Sequence, residues 1–273
     1  MITEKAYAKL NLALDVVGKR SDGYHDLNMI MIPLELFDLL TFEKAKDISL
    51  SSNIFIENNA IIKAAELMKE TFSIEEGVKI KLEKHIPIGA GLAGGSADIA
   101  ATLRGLNRLW ELNLPLEDLE ELALKLGSDT LFCLHNQTAY VSKRGDEMLY
   151  INTPPIEHIY LFPQEVEVST RKVFQHHKIA YKKRRFQMLL IHYLNENYDL
   201  FFKKTYNALL KTTLSCYPSL KKIYRSLKKI DKHVMMTGSG STFYIIDFHK
   251  NIPNLDEKIT NLGIVNIKTK PKI

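Results

Sequence analysis

Pro87-Ile-Gly-Ala-Gly-Leu-Ala-Gly-Gly-Ser-Ala-Asp98 is the most informative stretch of this sequence. Four of its twelve residues are glycine, whereas the whole chain of 273 residues has 13. An alternating strand pattern over Val78–Lys84 precedes it, and an apolar helical pattern follows it directly. Glycines allow close approach of the backbone to a ligand, and the N–H groups of a helix N-terminus attract anions. The order strand, glycine loop, helix therefore predicts a phosphate-binding loop, with Ser96 as a cap or a phosphate ligand.

Two common nucleotide motifs do not account for this loop. No Gly-Lys-Ser/Thr ends it, so it is not a Walker A motif. The spacing of Gly89, Gly91 and Gly94 fits a dinucleotide fingerprint, but no early parallel-sheet unit precedes it and no acidic residue is placed for a ribose. A purely structural turn is the alternative interpretation, and the rest of the chain has to decide between the two.

The composition is that of a globular protein with a large core, since 45% of the residues are apolar and 25% are charged. No apolar run approaches the roughly 18 residues of a membrane span, and the N-terminus lacks the apolar segment of a signal peptide. Cys133 and Cys216 form neither a metal spacing nor a disulfide framework. These features predict a cytoplasmic protein. The net charge of +5 suits an anionic substrate and is too small to indicate nucleic-acid binding.

The first 40 residues predict two strands joined by a turn. Residues 2–17 alternate in polarity, which places Lys9 and Asn11 on one face of the first strand. Tyr24 and His25 open a second strand that we expect to be interrupted at Pro33. An aromatic ring beside a hydrogen-bonding ring suits a base-stacking site, although both could be plain surface residues.

The middle of the chain adds a second helix and a domain boundary. Pro115 and Gly127 delimit a helix over 116–126, and Asp129 follows as either a turn residue or a catalytic carboxylate. The proline pair at 154–155 predicts an N-terminal domain, 1–153, which carries the glycine loop, and a C-terminal domain, 154–273.

The C-terminal half contains a basic stretch and a second glycine turn. Residues 176–185 hold two histidines and five basic side chains, which fit a solvated face, a substrate-phosphate patch or a nucleic-acid contact. Helical patterns cover 207–214 and 220–230, and the turn Thr237-Gly-Ser-Gly-Ser241 then leads into a strand.

Three segments together resemble the galactokinase, homoserine kinase, mevalonate kinase and phosphomevalonate kinase superfamily. They are Ala8-Lys-Leu-Asn-Leu12 with Gly23-Tyr-His25, the glycine loop, and Thr237-Gly-Ser-Gly-Ser241. The first of them, followed by Arg20-x-Asp-Gly-Tyr-His-Asp-Leu27, is similar to the 4-diphosphocytidyl-2-C-methyl-D-erythritol kinase family of the non-mevalonate isoprenoid pathway. The match runs over nearly the whole chain and is weakest from 175 to 230.

This resemblance implies an α+β fold of two domains with the active site in the cleft between them. The N-terminal domain would have a ribosomal-protein-S5-like β-α-β topology, and the C-terminal domain would be an α/β plait. The implied reaction transfers the γ-phosphoryl group of ATP, with Mg²⁺, to the 2-hydroxyl of the cytidyl diphosphate substrate. ATP and this substrate are the implied partners, with no membrane or nucleic-acid partner, and the ligands of Mg²⁺ are not identified.

The resemblance also assigns roles to individual residues. Lys9 and Asp129 match the catalytic pair, in which a carboxylate accepts the hydroxyl proton and an ammonium stabilises developing negative charge. The ATP phosphate site matches Pro87, Ile88, Gly89, Ala90, Gly91, Leu92, Ala93, Gly94, Gly95, Ser96 and Ala97. The substrate contacts match Asn11, Tyr24, His25, Thr170, Phe174, Gly238, Ser239 and Gly240, with His25 and the two aromatic rings holding the cytosine.

The sequence departs from the family pattern at two places. Ser128, Thr130 and Leu131 surround Asp129 where the family often has Gly-Ala-Asp-Val-Pro, and Ala208 follows Asn207 where the family often has aspartate. We expect these differences to affect substrate affinity more than reaction type.

Overall fold

A computed structural model describes residues 1–179, 183–248 and 252–273 of the chain. They divide into two compact units. Unit 1 comprises Met1–Lys9, Pro33–Ile88 and Ala93–Gln137, and unit 2 comprises Leu10–Ile32, Gly89–Leu92 and Thr138–Ile273. The chain therefore passes from one unit to the other several times, because its first two strands and the glycine loop each contribute residues to both. The division into domains 1–153 and 154–273 follows a single cut and stays a prediction.

The strands of unit 1 form a mixed sheet in the order β3-β4-β2. The strands are β1 (Ile2–Lys19), which also pairs with β2, β2 (His25–Ala45), β3 (Ser49–Ser52) and β4 (Gly77–Glu83). Strand β3 runs parallel to β4, with Leu50 opposite Ile80, and β4 runs antiparallel to β2, with Phe42 opposite Ile80. Phe42 and Ile80 are fully buried and form part of the sheet side of the core.

Four helices cover unit 1, and α2 is the central one. They are α1 (Ala60–Thr71), α2 (Gly94–Leu109), α3 (Leu116–Leu126) and α4 (Thr130–His135). Helix α2 packs against the other three. At Gly105 it approaches the sheet so closely that a Cβ atom there would overlap the Phe42 ring. The predicted helix over 116–126 is confirmed, whereas α4 was not expected from the sequence.

Two groups of strands belong to unit 2. Strands β5 (Ala139–Lys143) and β6 (Glu147–Tyr150) form a hairpin, and β5 is antiparallel to β2 at Leu27–Met31. A second, antiparallel sheet has the order β10-β7-β9-β8. Its strands are β7 (Ile159–Phe162), β8 (Met235–Met236), β9 (Phe243–Ile245) and β10 (Ile267–Thr269).

Helices supply the rest of unit 2. They are α5 (Thr170–His176), α6 (Lys183–Leu194), α7 (Tyr198–Lys204), α8 (Leu210–Cys216), α9 (Leu220–Ile230) and α10 (Leu255–Asn261). Tyr193 and Phe201 pack edge to face, with ring centroids 4.9 Å apart, and join α6 to α7. Across the described ranges, no helix combines the length and the apolar character that a membrane crossing requires.

Two predictions about local structure are wrong. Strand β2 runs unbroken through Pro33. The proline lies between the β5 ladder, which ends at Met31, and the β4 ladder, which begins at Leu39, so its missing N–H costs neither ladder a hydrogen bond. The helix expected over 207–214 begins at Leu210, because Asn207 instead forms a bridge with Leu14 of β1.

Candidate active site

Lys9 and Asp129, the predicted catalytic pair, lie together in unit 1. Lys9 is on β1 and only 3% exposed, and its Nζ lies 3.5 Å from Oδ2 of Asp129. Asp129 is the residue before α4, yet its side chain makes no capping hydrogen bond to that helix. The carboxylate side chain is 33% exposed. A carboxylate that is not used for capping, open to solvent on one side and close to a buried ammonium on the other, is suited to accept a proton from a bound hydroxyl group.

The turn that carries Asp129 also depends on Gly127. A Cβ atom at Gly127 would lie 2.8 Å from the Thr130 hydroxyl and 3.6 Å from the Ser96 hydroxyl. Glycine therefore lets the first turn of α2, which holds Ser96, come close to the turn before α4. Thr130 donates its backbone N–H to the Gly127 carbonyl at 3.2 Å and buries its side chain completely. Thr130, one of the residues that depart from the family pattern, thus helps to hold the turn that carries Asp129.

The part of the glycine loop that belongs to unit 1 ends in an uncapped helix. Ala93 has φ +56° and precedes α2 without a side-chain hydrogen bond to its first turn. The first helical bond runs from the Ala97 N–H to the Ala93 carbonyl at 2.9 Å. A Cβ atom at Gly95 would meet nothing within 4 Å, so this turn faces open space. The first N–H groups of a helix that no side chain caps form a binding place for phosphate.

The central residues of the loop, Gly89–Leu92, belong to unit 2 and pack on the β8–β9 turn. Gly91 has φ +75°, and a Cβ atom there would lie 2.7 Å from the Gly240 carbonyl oxygen. Thr242 donates its N–H to the Ala90 carbonyl at 3.2 Å. Because both a positive φ and a close backbone neighbour are required, only glycine fits at position 91.

A buried ion cluster that the sequence analysis missed joins the two ends of the loop within unit 1. The Lys84 ammonium donates to Oδ2 of Asp38 at 2.5 Å and to Oδ2 of Asp98 at 2.6 Å. Asp38 also accepts the backbone N–H of Ile86 at 2.8 Å, just before the loop. A Cβ atom at Gly94 would lie 2.9 Å from the Lys84 ammonium. One lysine therefore connects the segment that enters the loop with the first turn of α2.

The protonation of this cluster is unusual. Burial raises the pKa of Asp98 to about 7, and Lys84 opposes this rise, whereas Asp38 adds to it. Oδ1 of Asp98 is buried and has no hydrogen-bond partner among the described residues. Two carboxylates share one ammonium, so a proton on Asp98 near neutral pH relieves their repulsion. In the sequence, Asp98 was visible only as the last residue of the glycine motif.

A hollow of about 420 Å³ lies along β3 and β4 of unit 1. Ser51, Asn53, Leu82 and His85 are among the residues that line it. The Asn53 side chain accepts from the Lys84 N–H at 2.8 Å and donates to the Lys84 carbonyl at 3.2 Å. The hollow therefore ends two residues before the first residue of the glycine loop, Pro87.

The predicted substrate residues of the β8–β9 turn meet Asn11 in unit 2. Asn11 is buried, and its Oδ1 accepts the Gly238 N–H at 3.0 Å. Asn207, whose role the sequence analysis missed, donates to the carbonyls of Met236 and Gly238, both at 2.7 Å. The side-chain amides of Asn11 and Asn207 therefore hold the β8–β9 turn from both sides. In the described contacts, Asn11 has a structural role in this turn.

Thr170 and Ser239 also come together. Their hydroxyl groups are 2.8 Å apart. The Ser239 carbonyl accepts the hydroxyl of Thr213, a second residue that the sequence analysis missed, at 2.9 Å. Ser169, one residue earlier, caps α5 through the Lys172 N–H at 3.3 Å. The start of α5 is thereby connected to the glycine turn, which places Thr170, Gly238, Ser239 and Gly240 in one cluster.

The three predicted cytosine residues divide into two groups in unit 2. The rings of His25 and Phe174 have centroids 5.0 Å apart and are tilted by 31°. Burial, with a smaller contribution from Lys19, lowers the pKa of His25, which favours a neutral imidazole at pH 7. Tyr24 instead lies against Arg144, whose guanidinium carbon is 4.1 Å from the ring centroid.

The basic stretch 176–185 is only partly described. His176 contacts the Lys172 carbonyl at 2.8 Å, and His177 contacts the Thr212 hydroxyl at 3.0 Å. Arg185 lies 3.9 Å from the centroid of the Tyr206 ring. Lys182 and the side chains of residues 183 and 184 lie outside the described part of the chain, so the three interpretations of this stretch stay open.

Comparison with known proteins first establishes the class. Residues 59–137 match the family described as GHMP kinases N terminal domain. A crystal structure of mevalonate kinase from Methanococcus jannaschii has the same fold, with a TM-score of 0.77 at 14% identity over 100% of this chain and 98% of that chain. The fold is that of the GHMP kinases, a class of small-molecule kinases.

More similar relatives then narrow the assignment. A crystal structure of 4-(cytidine 5'-diphospho)-2C-methyl-D-erythritol kinase gives a TM-score of 0.80 at 27% identity over 100% of both chains. The 4-diphosphocytidyl-2-C-methyl-D-erythritol kinase of Bacillus pumilus is 41% identical over 263 residues, which cover 93% of this chain and 91% of the relative. That of Macrococcus caseolyticus is 40% identical over 258 residues, 89% of each chain. This chain belongs to the 4-diphosphocytidyl-2-C-methyl-D-erythritol kinase family, which confirms the resemblance and the fold class predicted from the sequence.

Proposed function

We propose that this chain transfers the γ-phosphoryl group of ATP to the 2-hydroxyl of 4-diphosphocytidyl-2-C-methyl-D-erythritol, with Asp129 and Lys9 as the reacting protein groups. The observation that carries this proposal is the pair itself: a buried ammonium 3.5 Å from a partly exposed carboxylate, in a chain of this kinase family. The GHMP kinases use ATP as the phosphoryl donor, so we assign ATP as the nucleotide substrate of this chain.

The proposed reaction needs one proton acceptor and a stabilised phosphoryl group. Asp129 takes the proton of the substrate hydroxyl, the hydroxyl oxygen bonds to the γ-phosphorus, and the bond to the β-phosphate oxygen breaks to release ADP. Lys9 lies beside Asp129 and stabilises the negative charge that develops on the substrate oxygen as it loses its proton. Phosphoryl transfer depends mainly on alignment and electrostatics, so the protein has little further chemistry to do.

The ATP phosphates are assigned to the glycine loop, Pro87–Ala97. The uncapped first turn of α2 offers backbone N–H groups, and the absence of a side chain at Gly95 leaves that turn open. The hollow along β3 and β4 ends at His85, immediately upstream of the loop. Its position supports assigning it to the nucleoside of ATP.

Mg²⁺ is proposed to arrive with ATP. No group of three or more potential metal ligands occurs within residues 1–179, 183–248 and 252–273. This fits an ion that is held mainly by phosphate oxygens and water, as is usual for Mg²⁺ at nucleotide sites. When bound, the ion neutralises charge on the transferred phosphoryl group.

The cytidyl end of the substrate is assigned to Tyr24, His25 and Phe174. A neutral imidazole offers one donor and one acceptor, which suits the edge of a cytosine, and the two aromatic rings provide stacking surfaces. Asn11, Thr170 and the turn Gly238–Gly240 are assigned to the diphosphate and the reacting end.

We further propose that the chain acts in the cytoplasm on small molecules, without a nucleic-acid or membrane partner. The modest net charge of +5 and the metabolic kinases among its relatives support this assignment.

A coupled ADP-release assay with ATP and Mg²⁺ tests the proposal. The cytidyl substrate is compared with mevalonate, homoserine and galactose. Turnover with the cytidyl substrate alone is expected. Turnover with another acceptor would refute the cytosine assignment, and absence of turnover with all four would refute the proposed activity. Lys9→Ala should abolish turnover, and retention of more than about a tenth of the rate would contradict the role of Lys9.

A further inference from the structure

Arg144 lies over one of the proposed cytosine-binding rings, although no sequence motif points to it. It occupies the turn between β5 and β6, where its backbone N–H donates to Asp146 Oδ1 at 3.0 Å. The Gly145 N–H closes the same turn on the Ser142 carbonyl at 3.0 Å. The hairpin therefore presents the guanidinium group from a well-defined backbone.

The Tyr24 side of the contact is held by a second turn. The Tyr24 N–H donates to Asp22 Oδ1 at 3.0 Å, and the Tyr24 carbonyl accepts the Arg20 N–H at 2.8 Å. Arg20 in turn pairs with Asp22 and Asp26, each at 3.1 Å. With its backbone fixed in this way, Tyr24 is still 51% exposed.

The Arg144 guanidinium group contacts the Tyr24 ring and makes few other contacts in the described part of the chain. Its carbon lies 4.1 Å from the Tyr24 centroid. Nε of Arg144 is buried and has no hydrogen-bond partner among the described residues. The Tyr24 N–H chiefly lowers the pKa of Asp22, and the positive charge of Arg144 makes a smaller contribution. No carboxylate in the described ranges forms an ion pair with the guanidinium group. A cation that lies over one face of the half-exposed Tyr24 leaves the other face of the ring for a flat group.

We propose that Arg144 is a positioning residue for the pyrimidine base of the substrate, which acts by holding Tyr24 as a preformed stacking platform. The inference rests on the proposed function. Fixing the ring before binding removes part of the ordering cost that the base would otherwise meet. The neighbouring His25–Phe174 pair shows no such stacked cation among the described contacts, so Arg144 acts on the Tyr24 side of the base.

The test is a double-mutant cycle with Arg144→Gln and Tyr24→Leu, measured as kcat/KM for the cytidyl substrate at saturating ATP. A cation–π contact corresponds to about a two- to fivefold effect. We expect Arg144→Gln to raise the KM for the cytidyl substrate by about that factor, with kcat and the KM for ATP unchanged. In the Tyr24→Leu background the same substitution should have no effect, because the platform is already lost.

Lys143→Gln is the matched control. It removes a positive charge from the same hairpin, where Lys143 pairs with Glu147 at 2.6 Å. We expect kinetics like those of the unmodified chain, since Lys143 does not contact Tyr24 in the described structure.

Two results would overturn the inference. The first is an unchanged KM for Arg144→Gln. The second is an equal loss of kcat/KM from this substitution with and without Tyr24, which would mean that Arg144 acts on the substrate directly. Failure of the proposed function is distinguishable, because the unmodified chain would then not turn over the cytidyl substrate.

Discussion

The substitution Asp98→Asn should change how the stability of unit 1 depends on pH. Asp98 is 4% exposed, and burial raises its pKa from the ordinary 3.8 to about 7. Between these two values the folded chain holds a proton on Asp98 that the unfolded chain has released. The contribution of Asp98 to stability is therefore complete below pH 3.8 and is lost as the pH rises through about 7.

The magnitude follows from the two pKa values. One pH unit between them corresponds to about 1.4 kcal/mol, so the free energy of unfolding should lose about 3 kcal/mol from Asp98 between pH 5 and pH 8. An asparagine at this position carries no proton that titrates in this range. Relative to the unmodified chain, Asp98→Asn should therefore gain about 3 kcal/mol of stability between pH 5 and pH 8. The substituted amide adds a cost that is the same at both pH values, and the comparison removes it.

Urea unfolding followed by tryptophan fluorescence measures this difference. Trp110 is the only tryptophan of the chain, is 8% exposed and directly follows α2, the helix that carries Asp98. Glu83→Gln is the control, because the pKa of that exposed carboxyl group is lowered by Lys81 and it should not show this gain. A stability difference between Asp98→Asn and the unmodified chain that stays constant from pH 5 to pH 8 would refute the reasoning.

Three further predictions concern activity and packing. Asp129→Asn should lower kcat by about 10²- to 10⁴-fold while leaving tryptophan fluorescence unchanged, and a near-normal kcat would contradict its role as proton acceptor. Gly91→Ala forces a side chain onto φ +75° and within 2.7 Å of a backbone carbonyl oxygen, so the KM for ATP should rise severalfold. Gly263→Ala is the matched control, because it meets a similar φ of +63° with nothing within 4 Å, and it should leave the KM for ATP unchanged. Gly105→Ala should destabilise unit 1 by about 1–3 kcal/mol in urea, because its Cβ overlaps the Phe42 ring, and an unchanged midpoint would exclude that overlap.

The order of elements around the glycine loop could be predicted because local signals specify it. Strand β4 alternates in polarity, glycine marks the loop, and an apolar helical pattern begins α2. Proline before 116 and glycine at 127 delimit α3, whose bounds agree with the prediction. The unbroken β2 could not be predicted, because whether Pro33 interrupts a strand depends on which neighbours need its N–H. Part of that information lies in strands β4 and β5, which are distant in sequence.

The candidate site shows the same division. Motif positions pointed to Lys9, Asp129 and the glycine turn, since these residues lie in short, recognisable stretches. No such signal marks the segments that contain Arg144, Asn207 and Thr213. Each of these residues contributes to the candidate site through a contact with a residue far away in sequence.

By itself, the sequence determined the position of the glycine loop, and its resemblance to the kinase family pointed to Lys9 and Asp129 as the candidate catalytic pair. The loop follows from residue types at short spacing, which act through local backbone geometry. Only the tertiary structure placed Asp38 and Asp98 on the one ammonium of Lys84, 46 and 14 positions away along the chain. Burial and charge act through space, so a carboxyl group with a pKa of about 7 arises only when folding removes water from it and brings a second carboxylate close.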